Sequence, residues 1–160
     1  MNILVTGGAG YVGSHLIDYL LKQKKLKIFC IDNFSNSSKI KIKILKKKFK
    51  SSIYFEKIDI RNKKKINTFF SKNNIKCVIH LAAKIDAEKS FVEKEDYKLI
   101  NLISSKNLID ISIRHKVKKF IFASSAAVYG DVSEGICSES KKKKPINPYG
   151  KYKLEAENYM

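Results

Sequence analysis

Three side chains late in the chain are suited to moving a proton. Ser125 stands in Ala123-Ser124-Ser125-Ala126-Ala127-Val128-Tyr129-Gly130, and Tyr149 and Lys153 stand in Asn147-Pro148-Tyr149-Gly150-Lys151-Tyr152-Lys153. On a helix, Tyr149 and Lys153 are four apart and share a face. A free tyrosine with a pKa of ~10 is a poor base at neutral pH. A neighbouring ammonium favours the phenolate. The first turn of a helix, where Tyr149 would lie, favours it too. The Ser125 hydroxyl could then hydrogen-bond a reacting oxygen and orient it. A Tyr-x-x-x-Lys pair alone is common by chance in so lysine-rich a chain; the two segments together are far more specific.

A second constellation lies at the other end, in Thr6-Gly7-Gly8-Ala9-Gly10-Tyr11-Val12-Gly13-Ser14-His15. Gly8-x-Gly10-x-x-Gly13 fits the dinucleotide fingerprint, and Gly7-x-x-Gly10-x-x-Gly13 is a variant of it. Glycines permit a tight turn, close approach of a pyrophosphate and close helix–strand packing. The helix that follows offers free N–H groups and positive potential. Nineteen residues past Gly13 stands Asp32, placed to accept hydrogen bonds from the adenosine ribose. Asp59, in IDIRN, could hold the adenine amino group or be a solvated turn aspartate. His15 and His80 are lone histidines in apolar surroundings and read as structural. No His/Asp/Glu spacing suggests a metal. Cys30, Cys77 and Cys137 show no C-x-x-C spacing. Cys30 and Cys77 sit in apolar runs and read as buried small hydrophobes.

The elements that must position these residues alternate in period. Short apolar runs predict strands over Asn2–Thr6, Lys27–Ile31, Ser52–Ile58, Lys76–Leu81 and Lys119–Ala123. Helical stripes run over Tyr11–Lys24, Lys39–Phe49 (lysine-rich and solvated), Lys64–Lys72 and Asp96–His115. Asp131–Ile146, with Lys141–Lys144, reads as a surface loop. A last helix starts near Pro148, with Asn147 as N-cap and proline at N1. Strand–helix alternation means right-handed βαβ units and a parallel sheet covered on both faces. The near-continuous apolar strands agree, because strands buried on both faces do not alternate. The expected fold is α/β, a Rossmann-type doubly wound sheet of about five strands in order 3-2-1-4-5. Ligands in such sheets bind beyond the carboxyl ends of the strands. Gly7–Gly13, Asp32–Ser37, Asp59–Ile60, Leu81–Ile85 and Ser124–Gly130 all fall there.

The chain has 160 residues, 44% of them hydrophobic, which is one domain's worth. Its 33 Lys+Arg against 15 Asp+Glu leave a net charge of +18. Only Arg61 and Arg114 are arginines. Readers of nucleic acid lean on arginine for bidentate contacts, so lysine-biased usage explains the charge better than specific nucleic-acid recognition. No apolar run approaches the ~18 residues of a membrane span, and no signal peptide opens the chain. The unpaired cysteines fit a reducing compartment, and a soluble cytoplasmic protein is expected.

With these segments in view, the chain resembles the extended short-chain dehydrogenase/reductase family, and within it the nucleotide-sugar epimerases of the UDP-glucose 4-epimerase type. The carrying segments are VTGGAGYVGSH, DNFSNSS, DIRN, HLAAKIDAEKS, SSAAVYGD and NPYGKYKLEAE, in family order across the whole chain. The resemblance implies bound NAD, with Tyr11 and Val12 meeting the pyrophosphate beside Gly7, Gly10 and Gly13. It implies that Asp32, Asn33, Phe34, Ser35, Asn36 and Ser37 hold the adenosine ribose side. Asp59 and Ile60 would flank adenine, and Leu81, Ala82, Ala83 and Lys84 would pass beneath the cofactor. Asn101 matches the asparagine of the family's N-V-x-G-T segment, here NLISS. Ser125 matches the catalytic hydroxyl, Tyr149 the base and Lys153 its partner.

The implied reaction takes a hydride from C4 of a UDP-hexose and returns it to the other face, as in galactose metabolism. Dehydratases of the family carry an Asp-Glu pair where this chain has Ala126 and Ala127, which argues against dehydration; a decarboxylase or a uronate epimerase stays open. Two departures stand out. Tyr152 replaces a small residue before the lysine and would crowd the site. The chain also stops at Met160, where family members continue into more sheet and a C-terminal domain that grips the nucleotide sugar. The expectation is therefore an absent substrate domain and a 160-residue chain with negligible turnover alone. A non-catalytic NAD-binding remnant, or half of a split enzyme, is the alternative. Family members often pair through the Asp96–His115 and final helices, so a homodimer is expected.

Overall fold

Isoleucine, valine and phenylalanine fill five short runs, and all five become parallel strands of one sheet. The computed structural model of the chain describes residues 1–23, 26–131 and 137–160. Lys24, at the end of the expected first helix, and residues 132–136 of the expected surface loop lie outside them. The described residues form two compact units: Met1–Ala82 with Leu108–Ala123, and Ala83–Asn107 with Ser124–Met160.

The first unit carries β1 (Asn2–Thr6), α1 (Tyr11–Lys22), β2 (Lys27–Asp32), α2 (Lys39–Phe49), β3 (Ile53–Lys57), α3 (Lys63–Lys72), β4 (Cys77–His80) and β5 (Lys119–Phe122). The strand order is β3-β2-β1-β4-β5, as expected. β1 pairs in parallel with β2 (Leu4 opposite Phe29) and with β4 (Leu4 opposite Val78). Only the inner strands are buried on both faces: Leu4, Val5, Ile28, Cys30, Ile31 and Val78 are wholly inaccessible. The edge strands depart from the uniform burial expected. In β3, Tyr54 and Glu56 are exposed, and in β5, Ile121 is 45% exposed. An edge strand has a partner on one side only, so its side chains receive less cover.

Helix α1 buries Gly13, Ser14 and Ile17, and α2 buries Ile42 and Leu45 against the same core as Ile3, Val5, Ile28 and Cys30. Ser38 caps α2 by accepting the Ile40 N–H, and Asn62 caps α3 by accepting the Lys65 N–H. The lysines of α2 stay mostly in solvent, as its composition requires.

The helix expected over Asp96–His115 is present, since the backbone is helical without interruption from Lys94 to Arg114, but its winding changes along it. Short helices α4 (Lys89–Val92) and α5 (Lys94–Tyr97) lead into a widened π-type stretch, Lys98–Ser104, and then α6 (Ser105–Arg114). Serine hydroxyls donate to backbone carbonyls here. Ser104 Oγ donates to Leu99 O at 2.8 Å, and Ser105 Oγ donates to Asn101 O at 2.8 Å. The second unit continues with a 3₁₀ turn, Ala126–Tyr129, and α7 (Pro148–Glu157). The expected cap is present: Asn147 Oδ1 accepts the Gly150 N–H at 2.7 Å, with proline opening the helix. Among the described residues, no helix is long and apolar enough to cross a membrane.

Candidate functional site

In the first unit, the glycines at the carboxyl end of β1 are required by contact. Gly7 has φ +69°, and a Cβ on it would lie 2.8 Å from Ala82 N. A Cβ on Gly13 would lie 2.4 Å from Gly7 O, so α1 can seat on the turn only without one. Gly8 is a glycine for another reason: Cys30 Sγ and Ile17 Cδ1 occupy the space its Cβ would need. Gly10 N–H donates to Gly7 O at 3.1 Å and Gly10 then caps α1 without a side chain. The first intrahelical bond in this turn is Ser14 N–H to Gly10 O. The N–H groups of Tyr11, Val12 and Gly13 precede it and have no partner one turn back. The Tyr11 and Val12 side chains point into solvent.

Asp32 ends β2 and is only 8% exposed. Its Oδ2 accepts the Ala9 N–H at 3.0 Å, tying β2 to the glycine turn. Its Oδ1 accepts the Phe34 N–H at 2.8 Å and the Ser37 hydroxyl at 2.9 Å. A carboxylate offers about four acceptor sites, so Asp32 keeps one, on Oδ2. The loop it braces holds Phe34 at φ +63°, a left-handed conformation that costs a side-chain-bearing residue about 1–2 kcal/mol. Asn33 Oδ1 steadies the next residue by accepting the Ser35 N–H. Ser35 and Asn36 are exposed.

Asp59 is fully engaged. Arg61 donates to it from its backbone N–H, Nε and Nη2, and Asn33 Nδ2 donates at 2.9 Å. The hydrogen-bonded Arg61 guanidinium, with Asn33, holds the Asp59 carboxyl far below the usual range. An additional donor would therefore have to displace one of these. Ile60 beside it is buried. Beyond β4, Leu81 and Ala82 are half-buried.

His15 differs from its expected apolar surroundings. It is exposed at the first turns of α1, with Nδ1 2.8 Å from Tyr11 O and its ring tilted on that of Tyr11. A polar helix surface, not a core, receives it. His80 is fully buried, as are Cys30 and Cys77.

In the second unit, Asn101 is 1% exposed and grips Lys84 through the backbone. The Lys84 N–H donates to Asn101 Oδ1 at 2.9 Å, and Asn101 Nδ2 donates to Lys84 O at 2.8 Å. The Lys84 ammonium is committed to Glu93 and Asp96, which raise its pKa, and lies 5.1 Å from the centre of the Tyr97 ring. Ala83 beside it is half-buried.

Tyr149 and Lys153 are one helical turn apart on α7, and both are buried (8% and 3% exposed). The Tyr149 N–H donates to Ser90 Oγ at 3.2 Å, and Tyr97 meets the Tyr149 ring edge-to-face at 6.5 Å. Ser90 and Tyr97 carry no spacing signal that would mark them in the sequence. Burial lowers the Lys153 pKa to about 8. Ser125 Oγ accepts the Ala127 N–H at 3.2 Å, which leaves its hydroxyl proton to donate. The Ala127 carbonyl lies where a Cβ on Gly150 would stand, 2.4 Å away, so a glycine after Tyr149 lets α7 close on the turn after Ser125. Tyr152 lines a surface hollow of about 290 Å³ with Lys94, Pro145, Ile146 and Lys151.

The sequence pattern of the NAD dependent epimerase/dehydratase family matches residues 3–160. A UDP-glucose 4-epimerase of Dictyostelium discoideum is 36% identical over 158 residues, covering 99% of this chain and 46% of that protein. The chain superimposes with a TM-score of 0.93 on the UDP-Glc/GlcNAc 4-epimerase of Campylobacter jejuni, at 35% identity over 98% of this chain and 47% of the other. The UDP-glucose 4-epimerase of Bifidobacterium longum in complex with NAD+ and UDP gives 0.90, at 33% identity over 99% and 47%. The chain thus spans about half the length of the relatives it matches.

Proposed function

The chain belongs to the NAD dependent epimerase/dehydratase family, and on that premise we propose that it serves an NAD-dependent nucleotide-sugar 4-epimerase acting on a UDP-hexose such as UDP-galactose. The observation that carries this reading is the presence of two built features in one chain. One is a glycine turn tied to a buried carboxylate at the end of β2. The other is a buried Tyr149–Lys153 pair on α7.

The first feature suits a dinucleotide. A cradle that a Cβ at Gly7 or Gly13 would fill leaves room for close backbone approach. The N–H groups of Tyr11, Val12 and Gly13 favour a pyrophosphate. Asp32 keeps an acceptor site for a ribose hydroxyl and would repel a 2′-phosphate. Asn33, Phe34, Ser35, Asn36 and Ser37 would line the adenosine side, with Asp59 and Ile60 beside adenine. Leu81, Ala82, Ala83 and Lys84, the last held by Asn101, would pass under the cofactor. When bound, NAD supplies the acceptor and donor of hydride.

The chain's own residues handle the proton. Ser125 donates its hydroxyl hydrogen to the reacting sugar oxygen and orients it. Tyr149 takes the hydroxyl proton at its phenolic oxygen and later returns it. The Lys153 ammonium stabilises negative charge there. Ala126 and Ala127 bring no acid or base for dehydration.

Two measurements test the reading. NADH should bind the chain more tightly than NADPH at physiological salt; the reverse order refutes the Asp32 assignment. In an assay of UDP-galactose conversion, any turnover must vanish in Tyr149→Phe. Turnover that survives Tyr149→Phe refutes the proton assignment. NADH binding without turnover would instead support a dinucleotide-binding role for this chain. Buried free thiols at Cys30 and Cys77 suit a reducing compartment such as the cytoplasm. Leu99 and Ile103, exposed on the π-type stretch, suit a homodimer through that segment and α7, which light scattering would detect as a doubled mass.

A further inference from the structure

Thr6 and His80 are both buried, side by side at the carboxyl ends of β1 and β4, and no step above uses either. Thr6 Oγ1 lies 2.6 Å from His80 Nδ1. The same oxygen receives two backbone donors: the Leu81 N–H, which it shares with Thr6 O, and the Ala82 N–H, each at 3.2 Å. A hydroxyl has one proton and two lone pairs. With both lone pairs facing N–H groups, its proton is left for His80 Nδ1. That nitrogen must then be the acceptor, which makes His80 the neutral Nε2–H tautomer. An imidazolium would present a donor where no lone pair remains. It would also stand charged beside the rings of Phe120 and Phe122, 6.2 and 5.7 Å away, where burial penalises charge.

The consequence runs to the glycine turn. Ala82, whose N–H is held by Thr6, is the residue pressed against Gly7: its N and Cα lie 2.8 and 2.9 Å from where a Gly7 Cβ would be. Gly7 in turn accepts the Gly10 N–H through its carbonyl. His80, Thr6, Ala82, Gly7 and Gly10 therefore form one unbroken line of contacts. We infer that Thr6 and His80 are a positioning pair for the dinucleotide, in which a neutral His80 orients the Thr6 hydroxyl and the hydroxyl sets the seat of the glycine turn on Ala82. The positioning role rests on the dinucleotide reading above; the tautomer does not.

Long-range ¹H–¹⁵N spectra of the 160-residue chain, with its three histidines assigned by substitution, read the tautomer directly. The expected spectrum has His80 protonated at Nε2 and bare at Nδ1, in wild type and in Thr6→Ser. Thr6→Val, which removes the proton donor, should lose that single tautomer. NADH titration followed by fluorescence should weaken about tenfold in Thr6→Val, the scale of one buried donor pair left unmade, and stay unchanged in Thr6→Ser. A proton on His80 Nδ1 in the wild type overturns the pair. An unchanged NADH affinity in Thr6→Val overturns the positioning role. Should Thr6→Val not fold, His80→Asn, which keeps an acceptor near the Nδ1 position, should bind NADH more tightly than His80→Leu; equal affinity overturns the role. A folded wild type that binds no NADH refutes the dinucleotide reading and the positioning role with it, while the tautomer spectrum still judges the pair.

Discussion

At the scale of the residue, Lys153 carries the most consequential cost. Its ammonium is almost wholly covered, and burial pulls its pKa from 10.5 to about 8. A base whose folded-state value is depressed binds fewer protons folded than unfolded between the two values. Its burial cost is therefore complete below about 8, falls as pH rises, and is gone above 10.5. Lys153→Met should flatten the corresponding rise of folding free energy with pH, read by urea denaturation at steps between pH 8 and 10. The same titration bears on function. On the proposed proton assignment, neutral Lys153 would no longer favour negative charge on Tyr149, so turnover of an active form should decline above about pH 8. An alkaline limb unchanged in Lys153→Arg, whose charge persists at any accessible pH, would assign that limb to another group.

At the scale of the element, the π-type stretch Lys98–Ser104 buries Asn101 together with Leu102 and Ser104. Widened turns of this kind are frequent at functional sites. Here the stretch holds Asn101, whose amide spans the N–H and C=O of Lys84. Asn101→Ala should therefore cost about 1–3 kcal/mol of stability, because two backbone groups lose their partners. Urea unfolding measures the cost, and hydrogen exchange at the Lys84 amide localises it. A loss below about 0.5 kcal/mol, the ordinary range for surface substitutions, would show that water replaces the clamp.

At the scale of the whole molecule, charge dominates behaviour in solution. The excess of 18 positive charges is carried by lysines spread along the chain, with two arginines in all. Such a chain should adsorb to polyanions through released counterions, with little preference among sequences. Fluorescence anisotropy with unrelated single-stranded oligonucleotides should give similar affinities that fall steeply between 50 and 200 mM salt, by about 300-fold if six phosphates are contacted. A strong preference for one sequence that survives at the higher salt would revive specific recognition. The β5 edge, with the Ile121 side chain half exposed, is the place where association would begin once salt screens the repulsion.

Much of this was legible without coordinates, because it depends on local patterns. Period and β-branching mark the five strands, and the alternation of strand and helix with the motifs gathered at the strand ends points to the order 3-2-1-4-5. Asn147 and Pro148 announce α7, and the glycine spacing announces the turn. Residue identity alone also places Tyr149 and Lys153 on one helix face. What distant segments do to each other lay beyond any pattern. The π-type stretch lies within a helix whose hydrophobic stripe looks unbroken. The engagement of Asp59 depends on Arg61 folding back and on Asn33 arriving from another loop. Gly8 looks like one more fingerprint glycine until Cys30 and Ile17 are seen to fill its side-chain space. His80 and Thr6 are 74 residues apart, and only the pairing of β1 with β4 brings a hydroxyl, an imidazole and two N–H groups to one point. Local propensity and period are written in neighbouring residues; hydrogen-bond partners, burial and the protonation they impose arise only when remote strands meet.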